Sequence, residues 1–230
     1  MANILNIDTS STNCSVALAY DGEIVLGYES SKKMDHSSSL APFVEKCLDY
    51  LRDKKDRLDA VSVTSGPGSY TGLRIGLSLA KGVAFGLGIP LISLSSLEVM
   101  AVRAIFSYPD FNGDELIVSM MDARRMEVYT GVFDSALNLV EPEKALILDS
   151  SSFASLGKEK KIIFIGDGTE KFKDIYSGEP AVWLGTGMAH AKYMSALSEK
   201  YFRLNNFSDV AYTVPSYLKE YQATTPKNKL

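Results

Sequence analysis

The stretch Ser65-Gly66-Pro67-Gly68-Ser69-Tyr70-Thr71-Gly72-Leu73-Arg74 joins an apolar run, Ala60 to Thr64, to a long small-residue segment, Tyr70 to Leu87. The run reads as a strand and the segment as a helix. A strand, a glycine turn and a helix N-terminus make a concave surface rich in free backbone N–H groups, at the positive end of the helix dipole. Pro67 fixes its own φ, while Gly66 and Gly68 admit left-handed or crowded backbone. Seven of the 17 glycines lie between Gly66 and Gly88, a density that implies close backbone approach to a ligand or to another helix. Two familiar phosphate loops are excluded. The pattern G-x-x-x-x-G-K-[ST] fails because Gly72 is followed by Leu73-Arg74, and for G-x-G-x-x-G the third glycine comes one residue late. Arg74 puts a cation near a helix start, where the dipole disfavours it unless an acid or a bound anion compensates. The same residues also suit an ordinary tight turn with a solvated arginine.

The 230 residues suffice for one large domain or two small ones. A hydrophobic content of 46% and a charged content of 23% are those of an ordinary globular chain. The net charge of −4 argues against a self-sufficient nucleic-acid binder, which carries a basic face, but leaves room for a small part in a larger RNA-handling complex. Cys14 and Cys47 show no metal or redox spacing and suit buried thiols in a reducing cytosol. Met1-Ala2-Asn3 leads straight into a strand without a signal-peptide pattern, and the apolar run Gly82 to Leu94 is broken by Gly86, Gly88 and Pro90. These features predict a cytoplasmic protein with no membrane segment.

Outward from the loop, Asn3 to Asp8, Ser15 to Tyr20 and Glu23 to Ser30 read as a three-stranded meander. Asp8 to Asn13 is its first turn and Asp21-Gly22 its hairpin. Asp35 to Ser39 offers N-cap candidates for a helix carrying Leu40, Phe43, Val44, Cys47, Leu48 and Leu51 on one stripe, with Pro42 tolerated in its first turn. Pro90 to Leu94 is a strand, and Ser95 or Ser96 caps a helix running to about Ile105. The order β-β-β-α-β-α-β-α describes a mixed sheet with helices packed on it. Ser107 to Asp114 is the best linker. Beyond it, Glu115 to Met121 and Glu127 to Phe133 pair through Asp122-Ala123-Arg124-Arg125, and Asn138 to Pro142 reads as a turn. Lys158 to Lys161 is a solvated charge run. Ile162 to Ile165 leads through Gly166-Asp167-Gly168 into a helix from about Thr169. This second strand–glycine–helix junction either faces the first across a cleft or is an ordinary turn. Gly187 to Phe202 reads as one helix with Ala191, Met194, Leu197 and Tyr201 on a stripe, and the tail after about Gln222 as frayed.

Reactive constellations are sparse. His36 and His190 have no partner at helical spacing, so no local two-histidine metal site forms. His36, beside Asp35 at a helix start, suits capping, and His190 a surface or packed position. No G-x-S-x-G elbow exists. Asp8, after a strand and opposite Gly66, is the one suggestive acid: it either orients a phosphate-bound cation or caps the turn through Thr9 and Ser10.

Ile7-Asp8-Thr9-Ser10, Cys14-Ser15-Val16-Ala17-Leu18, His36-Ser37, Ser65 through Gly76, Met121-Asp122-Ala123-Arg124 and Val214-Pro215-Ser216-Tyr217-Leu218 resemble, in order and over nearly the whole chain, the TsaB (YeaZ) family. The Gly-Pro-Gly-Ser-aromatic-Thr-Gly stretch is the most specific part and the middle of the second lobe the least. The resemblance implies an α/β chain with the two-lobed actin-like ATPase (RNase H-like) fold, mixed sheets with helices packed on them. Lobe I would span 1–106, joined by the C-terminal segment 207–230, and lobe II 107–206.

The resemblance also implies a role as a non-catalytic subunit. The chain would join its paralogue TsaD and the small ATPase TsaE, which make threonylcarbamoyladenosine beside the anticodon of tRNAs reading codons that begin with A. It would need no cofactor of its own, with ATP acting at the level of the complex. It would meet tRNA only through the complex, and would pair with itself when alone. The metal-binding paralogue carries His-x-x-x-His after the strand that follows the glycine helix, whereas Ser96-Leu97-Glu98-Val99-Met100 stands here without an imidazole at either end. A partner face would be built from Leu40, Phe43, Gly72, Arg74, Gly76 and Ala80, and a vestigial nucleotide cleft from Asp8, Gly66 and Gly68. Two other readings stay open: an independent ATP-binding enzyme of the actin-like, sugar-kinase-like fold, and an M22-type glycoprotease-like peptidase.

Overall fold

The computed structural model describes residues 1–30, 36–158 and 160–219. The cap candidate Asp35, Glu159 of the charge run and the tail after Gln222 lie outside the described residues, as does the side chain of His36. The first sheet has the order β3-β2-β1-β4-β5, from β1 (Asn3–Asp8), β2 (Cys14–Tyr20), β3 (Glu23–Ser30), β4 (Ala60–Gly66) and β5 (Leu91–Ser95). β1 is antiparallel to β2 and parallel to β4, which is parallel to β5. Strands β1, β2 and β4 are buried on both faces, which is why they read as apolar runs rather than alternations.

Two helices cover one face of this sheet: α1 (His36–Asp53) and α2 (Tyr70–Leu87). Their stripes, Leu40, Val44, Cys47 and Leu51 with Leu77, Ala80 and Ala84, close on Leu5, Ile7, Val16 and Leu18. Ser69 caps α2 by accepting from Gly72 N, and Gly88, at φ 64, ends it in the left-handed conformation that glycine adopts without steric cost.

The second sheet has the order β10-β9-β6-β7-β8, from β6 (Leu116–Asp122), β7 (Glu127–Phe133), β8 (Leu139–Ile147), β9 (Ile162–Ile165) and β10 (Val182–Trp183). Helix α3 (Ser96–Ser107), capped by Ser95 rather than Ser96, lies between the two sheets and touches β4 and β5 on one side and β6, β7 and β9 on the other. Leu97, Val99, Met100 and Ala104 therefore belong to one core with Ile92 and Leu94 of the first lobe and Ile117 and Ile163 of the second. The outer face of the second sheet carries an aromatic cluster, Phe153, Phe164, Phe172, Tyr176 and Trp183, beneath α4 (Ala154–Gly157) and α5 (Thr169–Lys173).

Three differences from the sequence reading have physical causes. The turn expected at Asn138–Pro142 lies earlier: the Asp134 carboxylate accepts from Ala136 N and Asn138 N, and β8 starts at Leu139. Pro142 fits inside β8 because that strand is an edge. The helix expected from Gly187 to Phe202 is split into a 3₁₀ turn (Ala191–Tyr193), capped by the His190 ring, and α6 (Ser195–Arg203). Finally, that turn and α6 pack on β1 and β3, so the return to the first lobe, expected at residue 207, begins near Ala191.

The lobe junction holds two sheltered carboxylates. Glu98 on α3 accepts from the Tyr201 hydroxyl at 3.1 Å, and Glu143 on β8 accepts from Ser95 Oγ. Burial pushes both carboxyls above their ordinary 4.5, and burial together with the nearby Glu98 pushes Tyr201 to about 12. A carboxyl whose pKa is higher folded than unfolded takes up protons on folding, so its contribution to stability falls as pH rises from 4.5 through the folded value. Glu143→Gln keeps an acceptor for Ser95 and removes the charge. The variant is expected to melt higher than the parent at pH 8, with the gap closing toward pH 4, as read by differential scanning fluorimetry; a constant gap contradicts the assignment.

Candidate functional site

Asp8 closes β1 and is fully buried. Its Oδ1 accepts from Ser10 N at 3.1 Å, Ser10 Oγ at 2.7 Å and Thr64 Oγ1 at 2.7 Å, so one oxygen fastens the β1–β2 turn to β4; Oδ2 is buried with no partner. The turn is held in place from its other side. Thr9 Oγ1 donates to Gly72 O at 2.8 Å, and Ser69 N donates to Ser10 O at 2.7 Å.

This contact explains the glycines. A Cβ on Gly68 would land on Ser10 O, one on Gly72 on Thr9 O, and one on Gly76 on Thr9 Oγ1. The close approach expected toward a ligand or another helix is made instead to the turn of the chain's own lobe. Gly66, at φ 127, leaves room for the Ser216 carbonyl, where Ser216 N donates to Ser65 O at 2.7 Å. Gly72→Ala is therefore expected to destabilise the chain by about 1–3 kcal/mol through overpacking. Gly82→Ala, on the open side of α2 with nothing within 4 Å of an added Cβ, is expected to stabilise it by about 0.5–1 kcal/mol. Urea unfolding of the two variants checks the pair of signs.

Between the lobes lies a cleft of about 690 Å³. Ser10, Gly68, Ser69 and Thr71 line one wall and Asp122 and Asp167 the other. Of the two readings of the second glycine junction, the facing one holds, because Asp167 looks across at the first junction. Asp167 Oδ1 accepts from Asp122 N at 2.7 Å, and burial, reinforced by the Asp122 charge, pushes its carboxyl up. Among the described residues lining the cleft there is neither lysine nor arginine. These hydroxyls and carboxylates, set beside Ile75, Met121, Tyr129 and Met188, suit a neutral or cationic group with an apolar part better than a polyphosphate.

Of the sequence-predicted cleft residues, Gly68 lines the cavity, while Asp8 and Gly66 lie behind it and serve the framework. Arg74 is exposed, and among the described residues its charge is met by tyrosines rather than by an acid. The guanidinium lies 4.0 Å from the Tyr70 ring centroid, and Nε donates to the Tyr217 hydroxyl at 3.1 Å. Ser96 and Met100 are both fully buried in the interlobe core. His190 Nε2 pairs with Glu29 at 2.7 Å, while its Nδ1 accepts from Lys192 N. Among the described residues, no group of three or more His, Cys, Asp or Glu side chains is placed to hold a metal ion, and no helix is long and apolar enough to cross a membrane.

The predicted partner face needs correction. Leu40, Gly72, Gly76 and Ala80 are buried inside the first lobe, and Phe43 is half-buried, stacked on Tyr28 at 5.7 Å. Only Arg74 of that set faces solvent. The outward line of α2 is Ser78, Gly82, Phe85 and Gly86, with Phe85 83% exposed. Beside α2 runs the C-terminal segment, held where Lys81 Nζ donates to Ala211 O at 2.9 Å and Thr213 O at 3.0 Å. That segment carries Tyr212, 83% exposed, and Val214, 72% exposed. A signal for the outward line was present: Leu73 and Leu77 mark the buried stripe, and Gly72 and Gly76 flank it.

Comparisons with known proteins agree with this architecture. A family model described as TsaD, tRNA N6-adenosine threonylcarbamoyltransferase, matches residues 29–228. The tRNA threonylcarbamoyladenosine biosynthesis protein TsaB of Bacillus subtilis is 32% identical over 225 residues, covering 94% of this chain and 93% of that one. Its Escherichia coli namesake is 36% identical over 126 residues, covering 55% of this chain and 52% of that one. The solved structure of YeaZ from Pseudomonas aeruginosa superposes with a TM-score of 0.76 at 26% identity, over 95% of this chain and all of that one.

Proposed function

Because the chain belongs to the TsaB family of tRNA threonylcarbamoyladenosine biosynthesis proteins, within the wider TsaD family and with its actin-like fold, we propose that it serves as a non-catalytic subunit. It docks on the paralogue TsaD in the cytoplasm, with the ATPase TsaE, and supports transfer of the threonylcarbamoyl group to the adenosine N6 beside the anticodon. Alone, it pairs with itself through the same face, so that the homodimer and the heterodimer exclude one another. It has no cofactor of its own.

The observation that carries this reading is the outward line of α2. A helix that shows solvent Gly82, Gly86 and a nearly naked Phe85, beside exposed Tyr212 and Val214, offers a close-approach face with an aromatic anchor. The reading as an independent ATP-binding enzyme loses support because Asp8 Oδ1 is taken by three internal donors and the described residues of the cleft wall include carboxylates and neither lysine nor arginine. The peptidase reading loses support because Ser96 and Met100 are sealed in the core.

The test is a reconstitution with tRNA, threonine, bicarbonate, ATP, an adenylate-forming enzyme, TsaD and TsaE. This chain by itself modifies no tRNA, and adding it to the mixture restores modification. Full activity of the mixture without the chain overturns the proposal.

A further inference from the structure

We propose that the hairpin turn between β6 and β7 presents Arg124 and Arg125 as a phosphate contact for RNA at the mouth of the interlobe cleft. The inference rests on the reading of the chain as part of a tRNA-modifying assembly and adds to it a surface that touches the RNA directly. Both arginines are exposed, and both are left-handed, at φ 71 and 51. In that region an L side chain crowds its own carbonyl, so hairpins place Gly or Asn there far more often than arginine. A conformation of this kind persists only where its surroundings hold it.

The surroundings here do so. The Asp122 carboxylate accepts from Arg124 N at 3.0 Å, and Asp122 N is itself fixed by Asp167 Oδ1 at 2.7 Å. Lys171 Nζ meets the Asp122 carboxylate and donates to the carbonyls of Arg125 at 2.7 Å and Glu127 at 2.6 Å. Ala123 N donates to Glu127 O at 3.0 Å, closing the turn. The neighbouring cations are neutralised within the fold, Lys171 by Asp122 and Lys219 by Glu127 at 2.7 Å. The guanidinium groups of Arg124 and Arg125 have no partner among the described residues.

A turn with a fixed backbone that carries two exposed arginines at adjacent positions, on a chain of net charge −4, matches phosphate oxygens, which a planar guanidinium grips through two parallel N–H bonds. RNA is favoured over a protein partner because no large exposed apolar side chain lies on the turn, whereas Phe85, Tyr212 and Val214 belong to the first lobe and the C-terminal segment.

The experiment measures binding of the assembled complex to a labelled tRNA transcript between about 50 and about 200 mM salt. Arg124→Gln with Arg125→Gln is expected to weaken binding roughly tenfold and to flatten the slope of log K against log salt by about 1.4–1.8, the share of two phosphates. Arg124→Gly with Arg125→Gly is expected to lose the same affinity while melting at the same or a higher temperature, since glycine accepts the left-handed backbone. Arg124→Lys with Arg125→Lys keeps the salt slope. Parental affinity and slope in both neutral double variants overturn the inference, as does loss of protein assembly with RNA affinity intact, which assigns the turn to an acidic protein. A separate arm omits the chain from the modification mixture: activity there sinks the subunit reading, whereas an unaltered salt slope sinks only the RNA contact.

Discussion

Asp8→Ala is expected to lose about 3 kcal/mol or more of folding stability and to leave no specific nucleotide-binding defect behind. The change strands Ser10 N, Ser10 Oγ and Thr64 Oγ1, three donors that now share Asp8 Oδ1 in a fully buried position. Each unsatisfied buried donor costs about 1–3 kcal/mol, less what relaxation recovers. Asp8→Asn keeps an acceptor for the same donors and is expected to lose less than half as much. Urea unfolding gives the two values, and calorimetry with ATP and magnesium on the parent chain supplies the functional control. A near-neutral Asp8→Ala, or tight magnesium-dependent ATP binding that this variant abolishes, returns Asp8 to the role of a cation-orienting acid.

The same carboxylate illustrates what could be read from the sequence. A strand ending on Asp8 and a polar Thr9-Ser10 turn were legible, because a doubly buried strand announces itself as an apolar run. The strand–glycine–helix junction and α1 were legible for similar reasons of pattern. What the pattern leaves open is direction. Helix α2 carries two lines of small residues four apart, Gly72, Gly76 and Ala80 on one side and Ser78, Gly82 and Gly86 on the other, and periodicity alone does not say which meets the sheet. Position relative to Leu73 and Leu77 decides it, since those aliphatic side chains must be inside. Strand β8 escaped notice because an edge strand tolerates Pro142 and the charges of Glu141, Glu143 and Lys144, and β10 because two residues carry no period. The early return of the chain to the first lobe depends on Gly187 to His190 adopting no regular structure, which a helical stripe of Ala191, Met194 and Leu197 conceals.

Phe85→Asp is expected to have the largest functional effect of any surface substitution. The side chain is 83% exposed, so the change leaves the isolated chain's stability within about 0.5 kcal/mol. Buried at the centre of a docked interface, an unpaired carboxylate in place of an aromatic anchor costs at least about 2 kcal/mol, roughly thirtyfold in affinity. Self-association and association with TsaD are expected to fall together, because the proposed function assigns both to the outward line of α2. Sedimentation of the chain alone and mixed with the paralogue reads both. Loss of the homodimer with an intact heterodimer places the two contacts on different faces.

The claim at the centre of this account is that the chain contributes a surface and no reacting group. The most direct measurement is the initial rate of tRNA modification in the reconstituted mixture, with the parent chain replaced by one altered on both walls of the cleft, Thr71→Val removing a hydroxyl and Asp167→Asn removing a charge. The rate is expected to match the parent's as long as the heterodimer forms. A rate reduced a hundredfold or more, with the heterodimer and tRNA binding intact, contradicts the account and puts chemistry in this cleft.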